Sequence, residues 1–153
     1  MCSAGTKAMR AIKNQLPNTE VLGVTILTSL TEEDCQIIHG CSIKAGVLKL
    51  SYLAQLSSLD GLIMSVAEAD FMSERPEMKI GFNTPGIRPL WYQEEDDQNK
   101  KRVRTPGEAI KAGVKRVVVG RPITKSDNPR EVVNKILEEI DKALKEIKNG
   151  GIK

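Results

Sequence analysis

Two arginines in this chain directly follow apolar, strand-like runs. Arg88 closes the segment Thr84-Pro85-Gly86-Ile87-Arg88, which leaves the run Met78–Asn83, and Gly120-Arg121-Pro122 leaves the run Lys115–Gly120. A guanidinium offers a rigid fork of N–H donors that grips two oxygens of a phosphate or carboxylate. A glycine beside it lets the backbone come close to a bound molecule. Together they describe an anion site. A Gly-Arg-Pro alone is more often an ordinary turn with a surface arginine. The recurrence at two successive strand ends, with a long polar loop between, favours the anion. Thr28 and Ser29 leave the first apolar run and Ser65 the second. By themselves, Thr28 and Ser29 read as polar residues leading into a helix.

Cys35, His39 and Cys41 lie close enough in sequence to raise the question of a metal. Their spacing matches no common zinc knuckle and no fourth ligand stands nearby, so two small half-buried thiols and a solvated histidine at a helix end are the simpler reading. With Cys2 the cysteines number three, and there is no C-x-x-C, which argues against a disulfide framework. Trp91 and Tyr92 begin the long polar loop. They read equally as lid aromatics that stack on a base and as exposed loop residues.

The elements that must position these residues alternate. Helical spacing runs from Thr6 to Leu16, with Ala8, Met9, Ile12 and Leu16 on one face and Pro17 as the stop. Glu20–Leu27 is a β-branched run suited to a strand buried on both faces. Thr31 opens a helix with Asp34 placed to return the cap, and Gly40 ends it. A second helix spans 42 to about 57, with Ile43, Val47, Leu50 and Ala54 stacked. Then come a strand at Asp60–Ser65, a short helix at Val66–Ser73, and the strand Met78–Asn83. Pro85, Gly86 and Pro89 break any regular element after it. The stretch from Leu90 to Arg104 is too long and polar for a tight connection. Thr105-Pro106-Gly107-Glu108 marks a helix start with proline in its first turn. After the strand Lys115–Gly120, Asn128-Pro129-Arg130-Glu131 caps a last helix. Its core face is read as Val133, Ile136, Leu137, Ile140, Leu144 and Ile147. Strands alternating with helices predict a parallel sheet with right-handed crossovers, either a small open α/β sheet or part of a β/α barrel.

The 153 residues suit one ordinary domain or half of a large one. A net charge of +3, spread along the chain, demands neither a nucleic-acid nor a membrane partner. No apolar run approaches the roughly 20 residues of a membrane helix, and the opening residues MCSAGTKAMR lead us to expect no secretion signal. A cytoplasmic location is the expectation.

The segments VTILTS, TPGIRP, DDQNKKRVRTPGEAIKAG and VVVGRPIT, in this order and spacing, resemble orotidine 5'-phosphate decarboxylase, and CSAGTKAM resembles the loop and helix after that family's fourth strand. The resemblance implies a parallel β/α (TIM) barrel, of which residues 1–153 form one partial domain, a carboxyl-terminal half-barrel of about four β/α units. It implies decarboxylation of orotidine monophosphate to uridine monophosphate in pyrimidine biosynthesis, with no metal or organic cofactor. It places Arg121 and the Gly120 amide on the 5'-phosphate, Arg88 and Gln98 at the phosphate-side and lid contacts, and Thr28 facing the pyrimidine or ribose. The segment from Leu90 to Arg104 becomes the lid. Gln98 comes from the resemblance alone, whereas the other four also stand at strand ends.

The sequence departs from the family in ways that matter. The family's decarboxylating residues lie in a D-x-K-x-x-D pattern, and none of Asp34, Asp60, Asp70, Asp96, Asp97, Asp127 or Asp141 begins a D-x-K. Cys2 stands where histidine is usual and Ala4 where glycine is common. No catalytic residue is therefore assigned, and the chain alone is expected to bind nucleotide phosphate weakly without turnover. Four strands cut from a barrel leave two unpaired edges and a wet inner face, for which Val24, Ile26, Ile63, Ile80 and Val118 are the candidates. The implied partners are orotidine or uridine monophosphate, together with an amino-terminal half or a second copy of the chain. A non-catalytic phosphate-binding half-barrel is the alternative reading. A sugar-phosphate aldolase-like barrel is disfavoured because no lysine sits within a strand to form a Schiff base.

Overall fold

The computed structural model describes residues 1–92 and 103–150. Four short parallel strands form its frame: β1 (Leu22–Val24), β2 (Gly61–Ile63), β3 (Gly81–Thr84) and β4 (Arg116–Val117), in the order β1-β2-β3-β4. A short turn, Cys2–Ala4, and helix α1 (Gly5–Gln15) precede the sheet. Helices α2 (Glu32–His39) and α3 (Ile43–Leu56) link β1 to β2, α4 (Val66–Ser73) links β2 to β3, and α5 (Pro106–Lys111) links β3 to β4. Helices α6 (Arg121–Thr124) and α7 (Pro129–Gly150) follow.

The helix starts follow local chemistry. Thr31 Oγ1 accepts from the Asp34 amide at 3.1 Å, and Asp34 Oδ2 accepts from the Thr31 amide at 2.9 Å. The Thr31 amide, and then the Thr31 hydroxyl donating to Asp34 Oδ2 at 2.8 Å, hold the Asp34 carboxyl below its ordinary range. Thr105 and Glu108 make the same reciprocal pair at the head of α5, with Pro106 in the position that needs no N–H. Asn128 Oδ1 accepts from the Glu131 amide at 3.3 Å.

One face of the sheet packs on the helices. Leu62, Met64 and Phe82 are buried there with Val47, Ala54, Ala69, Met72 and Ala109. Each large side chain so buried contributes about 1.5–3 kcal/mol. Glycine at position 23 makes room for the amino-terminal turn: a Cβ there would lie 2.6 Å from Cys2 Sγ and 2.9 Å from Leu59 Cδ1. Burial raises the Cys2 thiol above its ordinary pKa.

The other face is concave. A Cβ built at Gly61 would lie 2.7 Å from both Asn83 Nδ2 and Leu22 Cδ2, so these residues share a side. Val24 and Ile63 are half-buried and Val118 is half-exposed, as expected of an inner face. Ile26 and Ile80 are buried instead. Ile80 stands two residues before Phe82 and so shares its helix-packed side. Ile26 lies beyond the end of β1, where the chain has turned it against Gly46 of α3.

Arg116, beside β3, forms an ion pair with Glu20, just ahead of β1. A flat sheet sets its first and fourth strands about 14 Å apart, three spacings of roughly 4.8 Å. Side chains stand nearly perpendicular to a sheet, so such a pair closes only if the sheet is rolled. The rolling puts the fold on the barrel side of the two architectures left open by the sequence.

Other boundaries differ from expectation. Every strand is shorter than its apolar run: β1, β2 and β4 stop before the run ends, although Thr25 still donates its amide to Ile63 O at 3.2 Å, whereas β3 begins late and ends at Thr84, one residue past its run. Helix α6 replaces a plain turn after Gly120. On α1 only Met9 of the four expected core residues is buried, while Ile12 and Leu16 are exposed. On α7 the buried residues are Val132, Ile136 and Ala143, and Leu137 and Leu144 are exposed. Cys35 is fully buried, tighter than expected; Cys41 and His39 are half-buried.

Candidate anion site at the strand ends

The carboxyl ends of the four strands lead into the segments that carry Thr28, Arg88, Gly120 and Arg121, all at one end of the sheet. Beyond β1, Thr25 is buried and donates Oγ1 to Ile63 O at 3.0 Å. Thr28 follows, half-buried. Beyond β2, the buried Ser65 heads α4, and the Glu68 carboxylate reaches back to its amide at 3.0 Å and to its hydroxyl. That hydroxyl is committed to the helix start.

Beyond β3, Gly86 takes φ of 76°, the left-handed region that favours glycine, and turns the chain. Ile87 is buried and bridges to Arg104, whose carbonyl accepts from the Arg88 amide at 2.9 Å. Arg88 is half-buried. Its Nη1 donates to Ile87 O at 2.9 Å, and its guanidinium lies 6.0 Å from the centre of the Tyr92 ring. Beyond β4, the Val118 amide donates to Thr84 O at 2.8 Å. Gly120 is exposed and a Cβ there would meet nothing within 4 Å, so its backbone is open to a bound molecule. Arg121, half-buried, begins α6.

The loops bearing Arg88 and Arg121 thus leave hydrogen-bonded neighbours, β3 and β4. Arg88 also lines a hollow of about 330 Å³ with Tyr92, Arg104, Thr105 and Glu108. Thr28, Gly120 and Arg121 lie outside that hollow. Arg104 was not picked from the sequence, although it closes the polar stretch and faces the same hollow as Arg88. Gln98 and most of the lid segment lie outside the described residues. Trp91 is half-exposed, its ring 6.0 Å from Lys135 Nζ. Among the described residues no three His, Cys, Asp or Glu side chains gather as a metal site, and no helix is long and apolar enough to cross a membrane.

A rolled parallel sheet wrapped by helices, with polar residues collected at its strand ends, defines the β/α-barrel class. Within that class, residues 1–136 match the model of the orotidine 5'-phosphate decarboxylase / HUMPS family, and the chain belongs to that family. Curated relatives include orotidine 5'-phosphate decarboxylases of Alcanivorax borkumensis, 37% identical over 134 residues (87% of this chain, 57% of the relative), and of Geobacter sp. strain M21, 38% identical over 128 residues (81% and 51%). The crystal structure of orotidine 5'-phosphate decarboxylase from Lactobacillus acidophilus superposes with a TM-score of 0.75 at 28% identity, covering 91% of this chain and 60% of that one. The Pyrococcus horikoshii structure, at 19% identity and TM-score 0.54, shares the fold, covering 89% of this chain and 69% of that one. The chain spans about half the length of the curated relatives it matches, and the match falls on their carboxyl-terminal portion.

Proposed function

We propose that this chain is the phosphate-gripping part of an orotidine 5'-phosphate decarboxylase barrel and takes orotidine or uridine monophosphate at the ends of β3 and β4. The observation that carries the reading is the pairing of these two strands, each leading into an arginine-bearing loop. Arg121 and the open Gly120 backbone supply donors for the 5'-phosphate, Arg88 a second cation at the neighbouring strand end, and Gln98 the lid contact. Thr28 approaches the base or ribose from the β1 end.

Loss of carbon dioxide from the pyrimidine ring leaves an electron pair on a ring carbon, which must be stabilised and protonated. A positioned acid and preorganised charges contribute several kcal/mol to such a step. The sequence contains no D-x-K pattern to supply them. The chain therefore binds weakly without turnover, in the cytoplasm, and decarboxylates only when other strands complete the barrel, whether an amino-terminal half or a second copy provides them. The missing pattern also favours a second reading, a half-barrel that binds nucleotide phosphate and has no catalytic role.

Calorimetry with uridine monophosphate tests the site. Measurable binding that falls by about 2–5 kcal/mol in Arg121→Ala is expected for a desolvated arginine–phosphate contact. Unchanged binding in that variant overturns the assignment. Mixing the chain with a fragment bearing D-x-K-x-x-D separates the two readings: ultraviolet loss of orotidine monophosphate supports the decarboxylase, and silence supports the binding module.

A further inference from the structure

The chain beyond β3 brings a second arginine to Arg88. Ile87 and Arg104 bridge in parallel, and the Arg104 carbonyl accepts from the Arg88 amide at 2.9 Å. Each arginine turns Nη1 back to the carbonyl of the residue before it, Arg88 to Ile87 O and Arg104 to Val103 O, both at 2.9 Å. Both side chains are half-buried, and both line the hollow of about 330 Å³ that excludes Gly120 and Arg121. The Tyr92 amide donates to Pro89 O at 3.0 Å, a turn that returns its ring toward the Arg88 guanidinium. Glu108 is the only carboxylate among the described residues that line the hollow. Its Oε2 accepts from the Thr105 amide at 2.7 Å, which ties it to the head of α5. Two guanidinium groups against one such carboxylate leave the lining positive. A partly dehydrated positive hollow attracts oxyanions, and the guanidinium fork suits phosphoryl oxygens.

We propose that this hollow takes a second phosphoryl group, so that the chain binds a nucleoside 5'-diphosphate in preference to the monophosphate. The inference rests on the nucleotide reading above and extends it by one group. Gly120 and Arg121 take the first phosphoryl group, and Arg104 takes the second. Arg88 serves both: its loop starts beside that of Gly120, because β3 and β4 are hydrogen-bonded neighbours, and its side chain lines the hollow with Arg104. The base is read at Thr28, off β1, two strands away from β3. A nucleotide therefore meets the hollow at its phosphate end, where it can be lengthened only by a phosphoanhydride. Arg104 is a cation beyond those that the monophosphate reading uses, and a second phosphoryl group supplies the charge that answers it.

Calorimetry without divalent cations compares uridine 5'-monophosphate with uridine 5'-diphosphate on the same chain. The diphosphate is expected to bind about tenfold tighter or more, the yield of one charge-assisted guanidinium–phosphate contact. In Arg104→Ala and in Arg104→Gln that advantage should vanish. Both variants keep the backbone bonds of residue 104, and unchanged circular dichroism shows that they fold. Lys49→Ala removes an exposed cation on α3 and should keep the full advantage. A diphosphate that binds no tighter than the monophosphate overturns the proposal. So does an advantage that survives the loss of Arg104, or one that disappears equally in Lys49→Ala, which would make it an effect of net charge. Free inorganic phosphate that tightens the monophosphate, with no gain for the diphosphate, puts a separate ion in the hollow and overturns it too. The monophosphate titration alone reads the proposed function. If only the diphosphate binds, and through Arg104, the first phosphate assignment falls and the second subsite stands; if neither nucleotide binds, both fall.

Discussion

The Val118 amide donates to the Thr84 carbonyl at 2.8 Å, one residue beyond the last residue of β4. Thr84 is also the last residue of β3. The bond therefore carries the parallel pairing past the strand end and fixes the starting points of the TPGIRP and GRP segments side by side. Two loops launched from a shared hydrogen bond diverge less than two loops from separate elements, which is how a rigid scaffold aims residues on irregular backbone.

Arg88 and Arg104 should separate in their effects. Arg88 stands at the β3 strand end that the proposed phosphate site uses. Arg104 meets it through backbone and lines a hollow that also contains Glu108. Arg88→Ala is expected to weaken uridine monophosphate binding at least tenfold, about 1.4 kcal/mol. Arg104→Ala should weaken it less. Calorimetry on both variants decides, and equal losses would move the phosphate into the Arg88–Arg104 hollow.

Trp91 offers an optical check, being the sole tryptophan. With its ring half-exposed, emission should be that of a wet indole. Nucleotide that stacks on it should quench or blue-shift the band. Emission unchanged at saturating uridine monophosphate leaves Trp91 an ordinary loop aromatic.

Gly23→Ala should cost about 1–3 kcal/mol, because the added methyl meets Cys2 Sγ and Leu59 Cδ1 inside contact distance. Urea midpoints measure this. Adding Cys2→Ala to the same chain should recover part of the loss, since it removes the nearer obstacle. Purely additive losses in the double variant would mean that the two sites do not touch.

The Lys13–Asp60 pair predicts an acid-sensitive contribution. Lys13 Nζ lies 2.6 Å from Asp60 Oδ2, and the Val21 amide donates to the same oxygen at 2.7 Å. The lysine hydrogen bond first, then the amide, holds this carboxyl below its ordinary range. A carboxyl depressed in the folded state stabilises the fold above its unfolded pKa, near 3.9, and that contribution is lost as pH falls through the lower folded value. Asp60→Asn should therefore be less stable than wild type at neutral pH, by about 1 kcal/mol or less for so exposed a pair. The two chains should converge in strong acid. Urea denaturation at several pH values checks the convergence.

Helix starts were readable from the sequence because their chemistry is local. Thr31 with Asp34, Thr105 with Glu108, and Asn128 with Glu131 need only three-residue spacing, and each forms as expected. Strand extents were not, since Glu20–Leu27 and Lys115–Gly120 are apolar throughout and only the tertiary ladder shows where pairing stops. The inner face was half right. Val24, Ile63 and Val118 follow from alternation, whereas Ile26 and Ile80 depend on where the chain turns and on register. Exposure of Leu137 and Leu144 was hidden for a related reason: a helical stripe shows which residues align but not which neighbour is there to cover them. Thr28, Arg88, Gly120 and Arg121 could be found as residues leaving strands. Arg104 could not, because its place beside Arg88 depends on a bridge across the loop.

The strand order β1-β2-β3-β4 has a further consequence for how the chain acquires its structure. Each strand pairs only with the strand next along the chain, and Thr31, Ser42, Thr105 and Asn128 each begin a helix with a hydrogen bond made within three residues. A nascent chain can lay down one strand–helix module after another in order of synthesis, each parallel pairing waiting only for the crossover that precedes it.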